Sequence, residues 1–182
     1  MTAITYGCVA RYVITHGEDD ESQQKLVFSI EKEPTGYVMV LRKFGGGKKC
    51  SMLVIPPQRW VNLVLQMQSV NDAINKVRKE GDGGVQVKEL VAISGNLHVS
   101  IETPYWVADL RQYYMDKEGV LKPGRNGVPL KFHEWSKLCY QCVEMVKVHA
   151  PEVAELQPCA TRVDNNNQEG VMECAECTPP TA

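Results

Sequence analysis

Residues 97–142 read LHVSIETPYWVADLRQYYMDKEGVLKPGRNGVPLKFHEWSKLCYQC, and residues 26–68 read LVFSIEKEPTGYVMVLRKFGGGKKCSMLVIPPQRWVNLVLQMQ. The two stretches share a plan. Each holds a Ser-Ile-Glu strand, a turn at Pro, a strand ending in Leu-Arg and a Gly-rich turn with Lys or Arg. A β-rich segment follows, and then a helix that opens on Trp. Trp60, Leu63, Val64 and Met67 match Trp135, Leu138, Cys139 and Cys142 at a constant offset of 75. Both sets fall at i, i+3, i+4 and i+7, one apolar helical face.

The flanks extend each stretch to the same unit. CVARYVIT, residues 8–15, supplies a first strand to repeat one, and VQVKELVAI, residues 85–93, does so for repeat two. SGNL, residues 94–97, is a hairpin turn, because Gly and Asn tolerate positive φ. In YVMVLRKF the side chains alternate. Val38, Val40 and Arg42 take one face, and Tyr37, Met39, Leu41 and Lys43 take the other. The first helix starts at Pro57, a good first-turn residue, and runs to about Arg78. The second runs from Phe132 to Ala150 and stops at Pro151.

The expected fold is therefore α+β: two repeats of a four-stranded antiparallel sheet followed by one helix, packed through their helices as an intramolecular pseudo-dimer. Residues 1–80 form the first repeat, 81–85 a linker, 86–150 the second repeat, and 151–182 an acidic, disordered tail.

Charge is unevenly spread along the chain's 182 residues, whose net charge is −2. Residues 25–80 carry ten Lys/Arg against four Asp/Glu, whereas residues 151–182 carry one Arg against six acids. A basic middle between acidic ends suits one face for a polyanion and tails that keep the chain soluble. No run approaches the roughly 18 apolar residues of a membrane span. The start lacks a basic segment followed by a long apolar one, so no signal peptide is expected. Seven Cys without framework spacing argue for reduced thiols and an intracellular protein.

Residues 109–138, DLRQYYMDKEGVLKPGRNGVPLKFHEWSKL, resemble the positive-cofactor-four family of transcriptional coactivators. That family has a strand ending in an Arg-containing aromatic sequence, an acidic-Gly turn, a Lys-Pro-Gly-Arg turn and a helix opening just before Trp. The resemblance covers residues 86–150 well and residues 8–80 more weakly, through Leu41-Arg42 and Pro57-Gln58-Arg59-Trp60. It implies a binding module and not an enzyme. Family members pair as homodimers whose curved sheets offer channels to single-stranded or melted DNA, so this chain would supply both halves. Pur-alpha-like and Whirly proteins use similar strand–helix units, which leaves RNA open.

The resemblance also implies roles. Arg111 stands at the family's strand Arg and Tyr114 at its stacking Trp, while Lys122 and Arg125 match basic turn residues. Asn126 replaces a Lys of the family's turn. In repeat one Arg42 is kept, Gly45 takes the stacking position, and Lys48 and Lys49 charge a shortened turn. The implied partners are single-stranded DNA, or RNA, with transcription or replication proteins beside it. The expected state is a monomeric pseudo-dimer or a further homo-oligomer, and the expected location is nuclear.

Single-strand binding needs cations that track phosphates and aromatic faces for bases. Repeat one offers Lys32, Tyr37, Arg42, Lys43, Phe44, Lys48 and Lys49. Repeat two offers Tyr105, Arg111, Tyr114, Lys122 and Arg125. Several have a plainer reading: Tyr37, Phe44 and Tyr105 as packing, and Arg42 and Arg111 as ion pairs with a neighbour such as Asp109. Trp60 and Trp135 belong to the core.

Other constellations carry little. GGGKKCS, residues 45–51, lacks the first glycine of a phosphate loop, since Arg42 stands there, and it joins two strands. Cys139 and Cys142 sit on the apolar helical face as small hydrophobes. Cys174 and Cys177 lack two further zinc ligands at regular spacing. His16, His98, His133 and His149 show no partner spacing for catalysis. No cofactor, metal or enzymatic activity is expected. The second function class is a protein-interaction scaffold of the same fold with weakened nucleic-acid affinity, its acidic tail meeting a basic partner or competing for the groove.

Overall fold

The computed structural model describes residues 7–14, 25–45 and 50–159. Lys48, Lys49, Cys174 and Cys177 lie outside them. The elements run β1 (Gly7–Val13), β2 (Lys25–Glu33), β3 (Gly36–Phe44), β4 (Ser51–Ile55), α1 (Pro57–Glu80), β5 (Lys88–Ser94), β6 (Leu97–Glu102), β7 (Val107–Met115) and β8 (Leu121–Lys131). A helical stretch follows: α2 (Phe132–Lys137), a π-helical turn (Leu138–Cys142), α3 (Val143–His149) and α4 (Pro151–Ala154). The strands pair in chain order as two four-stranded antiparallel sheets, β1 to β4 and β5 to β8. This is the α+β two-repeat fold that the sequence predicts.

Strand alternation sets the layers. Leu26, Phe28 and Ile30 of β2 pair with Lys43, Leu41 and Met39 of β3 and turn toward the helices, as do Leu97, Val99 and Ile101 in sheet two. Trp60 and Trp135 are 2% and 1% exposed, core positions as expected. Trp60 packs on Phe28 at 5.3 Å between ring centroids. The Trp135 indole N–H donates to Asn71 Oδ1 at 2.8 Å, tying α2 to α1. Burying this much apolar surface is the main drive to fold.

The helices do more than face each other. Each reaches across to the other repeat. Arg59 and Asn62 of α1 donate to Asn96 Oδ1 and Ser94 Oγ in sheet two, and Lys76 pairs with Glu89 of β5. In return, Lys137 Nζ donates to Ile14 O at 2.8 Å, and Tyr12 of β1 donates its hydroxyl to Gln141. The sheets meet at their edges, β4 beside β8. Lys43 Nζ crosses that seam to Pro129 O at 2.9 Å and Glu134 Oε2 at 3.1 Å.

Two boundaries differ from expectation. Helix α1 continues to Glu80 and ends at Gly81, where a Cβ would lie 2.5 Å from Thr103 Cγ2. Past Pro151 the chain still packs: Val153 and Cys159 are buried, and the Cys159 N–H donates to Asn62 Oδ1. Asn62 and α1 supply the apolar and polar partners that this segment needs.

Candidate nucleic-acid interface

The sheet faces turned away from the helices hold the strand arginines. On sheet one, Arg42 lies beside Val27 and Met52, and Arg11 lies beside Ser29. On sheet two, Arg111 lies between His98 and Gly127. Val27 and His98 occupy matching places in the two Ser-Ile-Glu strands, so the two arginines stand at equivalent points of the repeats.

Both arginines are held by carboxylates on the same face. Arg42 Nη1 donates to Glu31 Oε1 at 2.5 Å and to Ser29 Oγ at 2.9 Å, and its Nη2 donates to Glu31 Oε2 at 3.2 Å. Arg111 Nε and Nη2 donate to Asp109 Oδ2 and Oδ1 at 2.9 and 3.3 Å, and its Nη1 donates to Gly124 O at 2.8 Å. The Arg42 guanidinium holds the Glu31 carboxyl below its ordinary range, and Glu31 in turn raises Arg42. Such two-pronged pairs combine charge with fixed geometry. The ion pair with a neighbouring carboxylate, the plainer expectation for both arginines, is the arrangement observed.

Glycines shape the site on sheet two. A Cβ on Gly127 would sit 2.8 Å from Arg111 Cβ and 3.0 Å from its Cα, so only glycine lets the arginine stem lie across β8. A Cβ on Gly124 would meet Gln112 O at 2.7 Å. The register shifts between Arg111 and Tyr113, and the surplus residues of β8 present Arg125 to solvent. Beyond them the hairpin is closed by Asp116, whose Oδ1 accepts the Glu118 and Val120 N–H groups. Lys122 pairs with Asp116 at 2.6 Å and, with those N–H groups, lowers its pKa.

The other candidates are dispersed. Lys43 points to the helix side, where it meets Glu134 as described. Tyr37 also packs on the helix side, with Lys32 Nζ over its ring at 5.0 Å. Tyr105 is exposed in the turn between β6 and β7. Tyr114 is half-exposed, but alternation places it on the opposite side of β7 from Arg111. Tyr113 is the aromatic that shares Arg111's face, with its ring 5.0 Å from His98. Phe44 stands likewise two residues after Arg42 and is exposed. Each repeat thus places an aromatic at the second residue after its strand arginine. A period-2 count from the arginine finds Tyr113 in the sequence, whereas the motif pointed one residue further. Arg11 and Lys88 were also missed; the latter pairs with Glu102 at 3.0 Å, and that bond raises its pKa.

The two thiols of the second helical stretch are suppressed by burial. Burial pushes Cys139 up to about 12 and raises Cys142 further, which keeps both protonated. Cys142 is buried in the core as the helical spacing predicts. Among the described residues, no group of His, Cys, Asp and Glu is placed to hold a metal. No described helix is long and apolar enough to cross a membrane.

The fold and the outer faces define a class: a two-repeat strand–helix body with one bidentately held arginine per sheet. Residues 106–140, from the turn before β7 through β8 into the π turn, match the family Transcriptional Coactivator p15 (PC4). The match lies wholly within the second repeat. It contains Arg111, Tyr113, Tyr114, Lys122 and Arg125, so that repeat is similar to the family over the hairpin that carries the site.

Proposed function

We propose that this protein binds single-stranded nucleic acid, DNA in the first place, on the outer faces of its two sheets. The observation that carries the reading is the coactivator match over β7, β8 and α2, the segment that contains Arg111 and the basic hairpin. Arg42 and Arg111 would meet phosphates, with Arg125 and, around the hairpin, Lys122 and Tyr114 extending the track and exposed Phe44 offering a ring face; Tyr113 is 6% exposed and packs on His98 instead. Lys48 and Lys49 belong to the same proposal. Stacking contributes about 1–3 kcal/mol per base and tolerates any sequence. One chain would supply both halves of the unit, as a monomeric pseudo-dimer. A coactivator role alongside transcription proteins, in the nucleus, follows from the same similarity. No part of this reading requires an enzyme.

The test is fluorescence anisotropy of a labelled single strand of about 20 nucleotides, against a duplex of equal length, across a salt series. Single-strand preference and a log–log slope of about −0.7 per phosphate contact are expected. Arg111→Ala with Lys122→Ala should weaken binding and flatten the slope. No binding at low salt would refute the proposal.

A second reading is a protein-interaction scaffold. It is favoured by the exposed apolar residues at the end of the β7–β8 hairpin, where Met115 is 53% and Val120 49% exposed. Deleting residues 160–182 tests the related idea of a competing acidic tail, and it should raise nucleic-acid affinity if the tail competes.

A further inference from the structure

The arginines of the proposed interface are not waiting for a ligand with their hydrogen-bonding edges open. Glu31 takes two donors of Arg42, and Asp109 takes two of Arg111. A carboxylate seated in that fork occupies the place a phosphate would take, because both anions offer paired oxygens to the planar guanidinium. We propose that Glu31 and Asp109 are internal phosphate mimics that set the affinity of the two outer faces by competing with the nucleic-acid backbone. The inference rests on the single-strand reading above and assigns these two acids a role in its regulation.

Three observations support it. First, the same ion pair is built twice from non-equivalent positions. Glu31 has Glu102 as its counterpart in the second Ser-Ile-Glu strand, yet Glu102 pairs with Lys88. Asp109, opposite Ser100, has its counterpart in Val40, opposite Ser29. Repetition of the fold alone does not generate that arrangement. Second, both pairs sit at the surface, with side chains 21–27% exposed. A ligand can therefore reach them, whereas a sealed pair would not exchange.

Third, each arginine keeps an anchor besides the acid. Arg111 retains Gly124 O, and its stem lies in the space left by Gly127. Arg42 retains Ser29 Oγ, whose own hydroxyl hydrogen goes to Glu31 Oε1 at 2.7 Å and can go equally to a glutamine oxygen there. Neutralising the acid therefore frees a positive charge without releasing the side chain that carries it. This fixes the sign of the effect: removing the acid's charge tightens binding. A carboxylate that merely positioned its arginine would do the reverse. The lowered pKa of Glu31 keeps that mimic charged at neutral pH, so its competition is constitutive.

The experiment uses the full chain with Glu31→Gln, Asp109→Asn and their combination, and Glu152→Gln as a charge control on α4. Binding of a labelled oligothymidylate is read by anisotropy across salt, with circular dichroism to check the fold. Each site variant should bind about fivefold tighter near 0.1 M salt and steepen the slope by about 0.7, the contribution of one added phosphate contact. The control should match the wild type. If the wild type binds while the site variants bind equally or more weakly, the inference is overturned and the single-strand reading stands. Equal tightening by Glu152→Gln would also overturn it, as a bulk charge effect. Absence of binding by every form, wild type included, would overturn both. Glu31→Gln lies on the other sheet from Asp109, so either variant decides the matter if its companion fails to fold.

Discussion

Gly127 is the residue on which the Arg111 site turns. Its missing Cβ is filled by the arginine's own stem, and an alanine there would press on Arg111 Cβ and Cα. The Cα belongs to the neighbouring strand and cannot yield cheaply. Gly127→Ala is expected to cost about 1–3 kcal/mol in urea denaturation and to move Arg111 off Asp109. Glu31 makes a separate prediction at this scale. Its pKa in the folded protein lies below 4.5, the ordinary value it would have when unfolded. The pair therefore adds stability above pH 4.5 and loses it as pH falls through the lowered value. Urea melts from pH 6 down to pH 3 should show a shallower acid decline in Glu31→Gln than in the wild type.

Elements meet through a few polar contacts set in an apolar seam. Lys43, at the end of β3, reaches past β8 to Glu134 at the start of α2, and their side chains are 12% and 1% exposed. Glu134 also accepts the Lys131 N–H at 2.7 Å, so its carboxylate caps the helix and closes the seam together. Taking the cation away strands a buried negative charge. Lys43→Met is expected to cost about 3 kcal/mol in urea denaturation. Adding Glu134→Gln should return part of that loss, because the unpaired charge is then gone. If Lys43→Met melts like the wild type, the pair is not what joins these elements.

On the scale of the whole molecule, each helical stretch reaches across to the other repeat, which couples the two in folding. Sheet two is covered by α1, which belongs to repeat one in sequence, and β1 of sheet one is bonded by the second repeat's helix. Opening one repeat would uncover apolar surface of the other. Equilibrium unfolding should therefore show one transition, coincident by far-UV circular dichroism and by tryptophan fluorescence, to which Trp60 of the first repeat and Trp106 and Trp135 of the second contribute. Two separated transitions would contradict this cross-repeat packing.

The sequence alone determined the repeat, the four-strand count, the helix starts at Pro57 and Phe132, and the core faces led by Trp60 and Trp135. These follow from local periodicity, which a chain carries residue by residue. It also pointed to Arg42 and Arg111, through the Leu-Arg strand ends and the resemblance at residues 109–138. Tertiary structure decided where those residues sit and what they pair with. It turned Lys43 inward to Glu134, put Tyr113 in place of Tyr114 beside Arg111, and packed residues 151–159 onto α1. It also laid α1 across sheet two and bonded the second helical stretch to the end of β1. A side chain's partner depends on which strand lies next to it and in what register, and a one-residue step reverses the face. That information arises only when segments far apart in the chain come together.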